Sequence, residues 1–317
     1  MEPLAAPSLD DIRDAAERIR GTAMRTPMVP LHGDDGPGEI HLKLENLQPI
    51  GSFKLRGAGN AIRSMEPAEL REGVVTASAG NMAQGAAWVA RELGIPCRVV
   101  VPDHAPRAKL DRVERLGGEI VKVPFPEWWR TIVEHRYPGM KGRFLHPVSD
   151  PAVVAGNGTI GLEILEDLPD PDAVLIPYGG GGLTSGIAAA VRALRPGTRI
   201  VACEVETAAP LAASWAAGEP RKIDYVPSFV DGIGGGSVLA EMWPLVRSLV
   251  DDVVTVSLAE TERALRLLVE RNHVVAEGAG AVPVAAALSG RAGSGKLVCV
   301  VSGGNIDLAK LGEILAG

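Results

Sequence analysis

Short apolar runs rich in β-branched residues alternate with longer helical patterns along nearly the whole chain. The expected strands lie at residues 40–44, 74–77, 98–101, 120–123, 174–176, 200–204, 253–256 and 297–301. Several of these runs are almost wholly apolar, which is typical of strands that are covered on both faces. The alternation therefore predicts an α/β fold with mostly parallel sheets and helices on both faces.

Helix signals agree with this alternation. The clearest helical patterns span residues 83–93, 108–116, 185–194 and 258–271. Gly94 is placed to end the first of these helices, and Asp103 and Ser257 are expected N-caps. Residues 124–143 form the least regular stretch. Because a chain of 317 residues exceeds the commonest size of one domain, two domains are expected.

The charge balance argues against a nucleic-acid partner. The chain has 32 basic and 39 acidic residues, a formal net charge of −7, and no block of basic residues. No apolar run reaches the roughly 18 residues that a membrane span requires. No secretion signal is recognisable, and Cys97, Cys203 and Cys299 are scattered through apolar runs. We therefore expect a cytoplasmic protein with reduced thiols and no membrane partner.

Lys54 is the first candidate for covalent chemistry. It follows a strand-like run and a turn-forming stretch at residues 46–49, and stands in the segment Gly-Ser-Phe-Lys-Leu-Arg-Gly. Sites in α/β proteins are usually built just past strand ends. A lysine forms an imine when its surroundings favour the neutral amine, and Phe53 offers apolar surface beside it. The alternative is a solvated surface lysine, the commoner fate of a lysine considered alone.

A run of four glycines separates the apolar run at residues 174–176 from a helical pattern. The run and the residue after it are Gly179, Gly180, Gly181, Gly182 and Leu183. Glycine permits close backbone approach, and N–H groups at a helix N-terminus bind phosphate. A flexible turn is the alternative, but four glycines are entropically costly, which favours phosphate binding. An imine-forming amine and a phosphate loop together indicate pyridoxal 5′-phosphate as cofactor.

Two further strand ends carry small and polar residues. After residues 74–77 come Ser78, Ala79, Gly80, Asn81 and Met82, which open a helical pattern. The first N–H groups there and the Ser78 hydroxyl suit a substrate carboxylate, and an ordinary N-cap explains the segment equally well. Ser302 follows the last apolar run. A serine hydroxyl would leave a pyridine nitrogen unprotonated, which suits elimination of a β-hydroxyl better than transamination.

These four segments, in this order, resemble those of the fold-type II pyridoxal phosphate enzymes, specifically the threonine/serine dehydratase and serine racemase family. The resemblance extends from about residue 9 to about residue 311. It implies a fold like that of the tryptophan synthase β chain, with two α/β domains. Residues 1–64 and 151–317 would form the larger cofactor domain, and residues 65–150 a smaller mobile domain. It also implies a small amino-acid substrate and a homodimer or homotetramer.

The resemblance also implies roles for single residues. Lys54 would form the Schiff base and take the Cα proton, Phe53 would pack beside the cofactor ring, and the glycine loop would hold the phosphate. Asn81 would hydrogen-bond the ring oxygen and Ser302 would meet the ring nitrogen, while residues 78–82 would bind the substrate. The implied reaction is deamination of a β-hydroxy amino acid, such as L-threonine or L-serine, to a 2-oxo acid and ammonia.

Glu277 and Gly232 match family positions near the cofactor, and other positions depart from the family pattern. Ala79 replaces a serine with which racemases reprotonate Cα, so elimination is expected to dominate. Met82 stands where a histidine is usual, which bears on the choice of substrate. Glu204 matches one ligand of the family's divalent-cation site, but proline occupies the position of the second ligand, so no metal is expected.

Several alternatives remain open at this stage. They are a hydroxyaspartate ammonia-lyase, a serine or aspartate racemase, a β-replacement enzyme of the cysteine synthase type, and a noncatalytic binder of the cofactor or of amino acids. An intact Lys54 disfavours the last of these.

Overall fold

Two separate sheets organise the chain in a computed structural model that describes residues 2–33 and 36–317. The strands are β1 (Met28–Pro30), β2 (Glu39–Leu44), β3 (Val74–Ala77), β4 (Cys97–Pro102), β5 (Glu119–Val123), β6 (Arg143–Leu145), β7 (Ala173–Pro177), β8 (Arg199–Val205), β9 (Asp252–Val256) and β10 (Lys296–Val301). The α-helices are α1 (Leu9–Arg18), α2 (Lys54–Arg63), α3 (Pro67–Glu72), α4 (Asn81–Leu93), α5 (Arg107–Arg115), α6 (Phe125–Glu134), α7 (Pro151–Asp167), α8 (Gly182–Leu194), α9 (Pro210–Ala217), α10 (Trp243–Leu249), α11 (Leu258–Asn272), α12 (Gly278–Leu288) and α13 (Leu308–Ala316).

The larger sheet has six strands in the order β1-β2-β10-β7-β8-β9. All neighbours pair in parallel except β1, which runs antiparallel to β2. Parallel pairing brings the carboxyl ends of β2, β10 and β7 to one edge of the sheet, where α/β proteins build their sites. The segments that carry Lys54, the glycine run and Ser302 all follow this edge.

The smaller sheet has four parallel strands in the order β5-β4-β3-β6. All four lie between β2 and β7 in the chain, so the chain leaves the larger sheet after β2 and returns to it at β7. Strand β3 ends immediately before Ser78. Candidate site residues therefore follow strand ends in both sheets.

The eight predicted strands are all present, and no end differs from its prediction by more than one residue. Strands β1 and β6 are absent from the prediction because each has three residues and lies at a sheet edge, which leaves no periodic pattern to detect. The α/β architecture with mostly parallel sheets is confirmed.

Two local predictions are wrong. Residues 124–143, expected to be the least regular stretch, contain α6, whose Ile132 packs with Val123 against the smaller sheet. Asp103 is not an N-cap, because α5 begins four residues beyond it, at Arg107, and its N-cap is Pro106.

The other two terminus predictions are confirmed. Ser257 caps α11 in a capping box with Glu260, and Gly94 ends α4 in the left-handed conformation at φ 67°.

Apolar clusters cover both faces of the larger sheet. Successive residues of β7 alternate between them, with Leu175 in one cluster and Val174 and Ile176 in the other. Cys299 and Val298 of β10 divide in the same way. Because each fully buried aliphatic side chain contributes about 1.5–3 kcal/mol, this two-sided burial makes the sheet a rigid base for the loops at its edge.

A buried ion network anchors the start of α2, which carries Lys54. Arg56 is 1% exposed, and its guanidinium donates to both carboxylate oxygens of Glu45 at 2.8 Å. The same guanidinium reaches Glu163 of α7 at 2.7 and 2.8 Å, and Lys43 donates to Glu163 at 2.6 Å. Although burial opposes ionisation, Arg56 holds the pKa of Glu45 below its ordinary value. The network therefore joins β2, α2 and α7 behind the site.

Glu204, expected to match a cation ligand, serves here as a helix cap. Its carboxylate accepts the backbone N–H groups of Leu211 and Ala212, in the first turn of α9, at 2.9 and 2.7 Å. Burial raises the pKa of Glu204 to about 7, and the two N–H donors oppose that rise.

Nowhere in the described part of the chain is a helix both long enough and apolar enough to cross a bilayer.

Candidate active site

A cavity of about 350 Å³ lies where the strand ends of the two sheets face each other. Every site residue predicted from the sequence lines it. These are Phe53, Lys54, Ser78, Ala79, Gly80, Asn81, Met82, Gly179, Gly180, Gly181, Gly182, Leu183, Glu277 and Ser302. Pockets of this size hold small-molecule ligands and cofactors. The fold thus brings four segments that are distant in sequence to one site.

Lys54 is the amine of the cavity. Its Nζ donates to the carbonyl oxygen of Pro147 at 2.7 Å and lies 5.0 Å from the centre of the Phe53 ring. Burial lowers the pKa of Lys54 to about 8, and the charge of Glu277 opposes that fall. A useful fraction of the amine is therefore neutral near pH 8, the form that attacks a carbonyl carbon.

The glycine loop is constrained by the protein itself. Gly181 has φ 97°, a left-handed conformation that glycine adopts without strain. A Cβ atom at Gly180 would lie 2.6 Å from the side chain of Val148, and one at Gly182 would lie 2.5 Å from the Val148 carbonyl oxygen. Gly182 and Leu183 begin α8 and line the cavity, so the unpaired N–H groups of its first turn lie beside it.

The segment after β3 presents a second helix N-terminus to the same cavity. Gly80 precedes α4, and its N–H donates to the Ser78 hydroxyl at 3.2 Å. Met82 is 1% exposed, packs into the core of the smaller sheet and gives the cavity an apolar wall. Free N–H groups on this side suit a carboxylate, as those of α8 suit a phosphate.

The segment after β10 is tied to the lysine segment by backbone contacts. The Ser302 carbonyl oxygen accepts the Phe53 N–H at 3.0 Å, and the Gly304 N–H donates to the Gly51 carbonyl oxygen at 2.9 Å. A Cβ atom at Gly303 would lie 2.6 Å from the Glu277 carboxylate, which explains the glycine there. Lys54 and Ser302 therefore sit on one rigid wall of the cavity.

A chain of polar side chains crosses the cavity between the two sheets. Asn81 donates to the Glu277 carboxylate at 3.0 Å and accepts from Asn305 at 2.8 Å. Asn305 in turn accepts from the Arg112 guanidinium at 2.7 Å. Burial raises the pKa of Glu277, the Asn81 amide lowers it, and the charge of Asp231 adds to the rise.

Three charged residues of the cavity escape the sequence motifs. Lys109 and Arg112 lie on α5, and Asp231 lies in the 3-10 turn Asp231–Ile233, next to the expected lining residue Gly232. Lys109 donates to Asp231 at 2.6 Å. Lys109 and Arg112 are three residues apart, so they lie on one face of α5. The sequence alone does not show that this face lines the cavity, because that depends on how the two sheets pack.

The residues of the cavity fit a ligand that carries both an aldehyde and a phosphate. The Lys54 amine lies on one wall, and the first turn of α8 offers donors and a positive helix end to an anion. Ser302 adds a neutral hydroxyl to the same wall. These groups fit pyridoxal phosphate, whose aldehyde carbon Lys54 would bind and whose phosphate the N-terminus of α8 would bind.

Comparison with known proteins agrees with this geometry. L-threonine ammonia-lyase of Thermotoga maritima is 40% identical over 97% of this chain and 78% of its own length. L-threonine dehydratase catabolic TdcB of Escherichia coli is 41% identical over 97% of this chain and 95% of its own. Maize serine racemase superposes with a TM-score of 0.87 at 34% identity, covering 98% of each chain.

A family model described as pyridoxal-phosphate dependent enzyme matches residues 19–303. That span begins at the end of α1 and includes Lys54, the glycine loop and Ser302. The chain therefore belongs to the family of pyridoxal-phosphate dependent enzymes.

Proposed function

We propose that this enzyme is an ammonia-lyase that converts L-threonine, and L-serine as a second substrate, to a 2-oxo acid and ammonia. The observation that carries the proposal is the Lys54 Nζ, an amine of lowered pKa that lines a cavity together with the N-terminal residues of α4 and α8. The relatives named for threonine deamination, at 40% and 41% identity, support the same reaction.

Each part of the cavity has a task in this reaction. When bound, the cofactor supplies an electron sink for the charge that develops at Cα of the substrate. Neutral Lys54 takes the Cα proton at Nζ, while its hydrogen bond to Pro147 orients the amine. The N-terminus of α4 and Ser78 bind the substrate carboxylate, and the α8 N-terminus holds the cofactor phosphate. The β-hydroxyl then leaves with a proton as water, and hydrolysis of the resulting imine consumes one water and releases the 2-oxo acid and ammonia.

Ala79 separates elimination from racemisation. Racemisation requires a proton donor on the face of Cα opposite Lys54, and Ala79, which lines the cavity, has no proton to give. We therefore propose that elimination dominates, although a solved relative is a serine racemase.

An absorbance spectrum and a 2-oxo acid assay in the same cuvette test the proposal. Purified protein should show a visible cofactor band and release 2-oxo acid from L-threonine. Lys54→Ala should lose both, whereas Lys122→Ala, which changes an exposed lysine of β5, should keep both. A cofactor band without 2-oxo acid from threonine or serine would overturn the proposed reaction while leaving cofactor binding intact.

A second candidate substrate is an acidic β-hydroxy amino acid such as 3-hydroxyaspartate. The observation that favours it is Arg112, which lines the cavity and donates to the neutral Asn305. Within residues 2–33 and 36–317, no carboxylate lies within ion-pair distance of Arg112, whereas Lys109 is paired with Asp231. An unpaired guanidinium suits the additional carboxylate of such a substrate.

Arg112→Gln separates the two substrates, and Arg115→Gln, on the exposed side of the same helix, is the control. If Arg112 binds a side-chain carboxylate, Arg112→Gln lowers kcat/KM for 3-hydroxyaspartate by about 10- to 100-fold, the size of a lost charged hydrogen bond, and changes threonine turnover far less. Equal losses on both substrates would mean that Arg112 acts through Asn305 and the shape of the site.

We also propose that residues 65–150 form a smaller unit that closes over the cavity, while residues 1–64 and 151–317 form the cofactor unit. The contacts of Lys109 with Asp231 and of Arg112 with Asn305 support this division, because each joins the smaller sheet's side to the larger sheet's side. Hydrogen exchange with and without substrate tests it, since closure should protect α5.

We further propose a cytoplasmic homodimer or homotetramer. The three cysteines are buried free thiols, as suits a reducing compartment. Light scattering of the purified protein measures its oligomeric state, and a monomeric mass would overturn the oligomer.

A further inference from the structure

A hydrogen-bonded turn lies directly behind Lys54. His146 follows β6, is 2% exposed, and accepts at Nδ1 the backbone N–H groups of Ser149 at 2.7 Å and Val148 at 3.2 Å. The Ser149 hydroxyl lies 2.8 Å from the same nitrogen. Because backbone N–H groups can only donate, Nδ1 carries no proton, and the neutral ring has its proton on Nε2.

This turn contacts both the Lys54 amine and the glycine loop. The carbonyl oxygen of Pro147 accepts the Lys54 Nζ at 2.7 Å. The side chain of Val148 packs against Gly180, and its carbonyl oxygen packs against Gly182, closely enough to exclude a Cβ atom at either glycine. A shift of the turn would therefore move both the amine's partner and the support of the phosphate loop.

The surroundings of His146 keep its ring neutral. The ring of His135, at the end of α6, stacks on it with centres 4.1 Å apart and planes inclined by 10°. Burial, and then the charges of His135 and Lys54, lower the pKa of His146 to about 3, while the Ile132 backbone opposes this fall. The Glu241 carboxylate lies 3.9 Å from the His135 ring nitrogen.

We propose that His146 is a positioning residue whose Nδ1 fixes the 147–149 turn, and so sets where Pro147 holds the Lys54 amine and where Val148 supports the glycine loop. His146 lies outside the cavity lining and acts through the turn. The test of this role has two readouts. The kcat/KM values rest on the proposed ammonia-lyase reaction, whereas cofactor affinity reports on the turn without it.

Two substitutions at His146 distinguish the role of the hydrogen-bond acceptor from the role of ring stacking. His146→Asn keeps an acceptor, since an asparagine oxygen commonly accepts from backbone N–H groups two or three residues on. His146→Phe keeps a ring to stack on His135 but has no acceptor, so the Val148 and Ser149 N–H groups lose their partner. Ser149→Ala is the matched control, because it removes the hydroxyl and leaves the backbone N–H in place.

The measurements are the affinity of each cofactor-depleted protein for added pyridoxal phosphate, and kcat/KM of the reconstituted enzyme as a function of pH. The Val148 and Ser149 N–H groups then have no partner and the turn shifts, so His146→Phe should weaken cofactor affinity by about 10-fold or more and lower kcat/KM similarly. His146→Asn and Ser149→Ala should stay within about threefold of the unmodified enzyme, as expected for a retained hydrogen bond.

Two outcomes overturn the proposal. Unchanged cofactor affinity and pH profile in His146→Phe would show that the turn needs no acceptor. A loss in His146→Asn as large as that in His146→Phe would show that an acceptor at this position does not fix the turn. A melting curve reports on folding, and His146→Leu replaces the Phe variant if that one does not fold. If neither the unmodified enzyme nor any variant turns over threonine, the proposed reaction fails, while the affinities still decide the role of His146.

Discussion

Lys109 Nζ lies 2.6 Å from the Asp231 carboxylate, so an ion pair joins α5 to the 3-10 turn on the other side of the cavity. The two side chains keep 39% and 58% of their exposure, and exposed pairs contribute about 0–1 kcal/mol to stability. The pair therefore has little to do with folding. Because both residues line the cavity, the pair bears instead on the proposed closure over substrate.

We expect Lys109→Met and Asp231→Asn each to raise KM and to leave the urea midpoint almost unchanged. The double variant should raise KM no more than either single variant, because each change breaks the same contact. A double-mutant cycle in KM measures this, with Lys310→Met, which breaks an ion pair to Glu313, as the control. Strictly additive effects would show that the two residues act separately.

Lys54 should make the cofactor-free protein's stability depend on pH. Its pKa is lowered to about 8 in the fold from 10.5, so the unfolded chain binds the proton more tightly between these values. Stability from this group is therefore present above pH 10.5 and is lost as pH falls through 8. Lys54→Met should stabilise the cofactor-free protein at pH 7 and bring no gain near pH 11.

Urea unfolding at a series of pH values measures this difference. The Lys122→Met variant, at an exposed position, should follow the unmodified protein throughout. A Lys54→Met effect that is constant with pH would contradict the lowered pKa.

Removing Arg56 should destabilise the protein strongly. Arg56→Met leaves Glu45, which is fully buried, without its bidentate partner, and breaking one half of a buried pair costs about 3–5 kcal/mol. The matched control is Arg63→Met, whose pair with Glu92 is 29% and 30% exposed and so should matter much less. Urea unfolding of the cofactor-free protein compares them. Similar losses in both variants would show that burial of the network is unimportant.

Two alanine substitutions in the glycine loop should differ in whether they can be rescued. At Gly180 the added Cβ meets the Val148 side chain, and at Gly182 it meets the Val148 carbonyl oxygen. Both should weaken binding of pyridoxal phosphate. Adding Val148→Ala should restore cofactor binding only to Gly180→Ala, because this substitution shortens the Val148 side chain and leaves its carbonyl oxygen in place. Gly197→Ala, where nothing lies within 4 Å, is the control. Equal rescue of both variants would contradict this packing.

The sequence reveals those parts of the site that lie at strand ends, because a buried strand followed by small residues is a local pattern. Lys54, the glycine loop and Ser302 all belong to such patterns and line one cavity. Arg112 and Lys109 do not, since their place at the cavity depends on how the smaller sheet packs on the larger.

Residues that contact the lining of the cavity from outside are equally difficult to predict from the sequence. His146 resembles any other buried histidine until its Nδ1 contacts with Val148 and Ser149 are visible. In the same way, the family resemblance matches Glu204 to a ligand position, whereas its contact with the Leu211 N–H, which caps α9, is known only from the structure.

The three buried thiols can report on local opening of the strands that carry them. Cys97 lies in β4 of the smaller sheet, and Cys203 and Cys299 lie in β8 and β10 of the larger one. Burial raises the pKa of each thiol, so a maleimide or disulfide reagent reaches them only when their strand is exposed. Peptide-resolved labelling under weakly denaturing conditions would therefore time the opening of each sheet separately, without any introduced label.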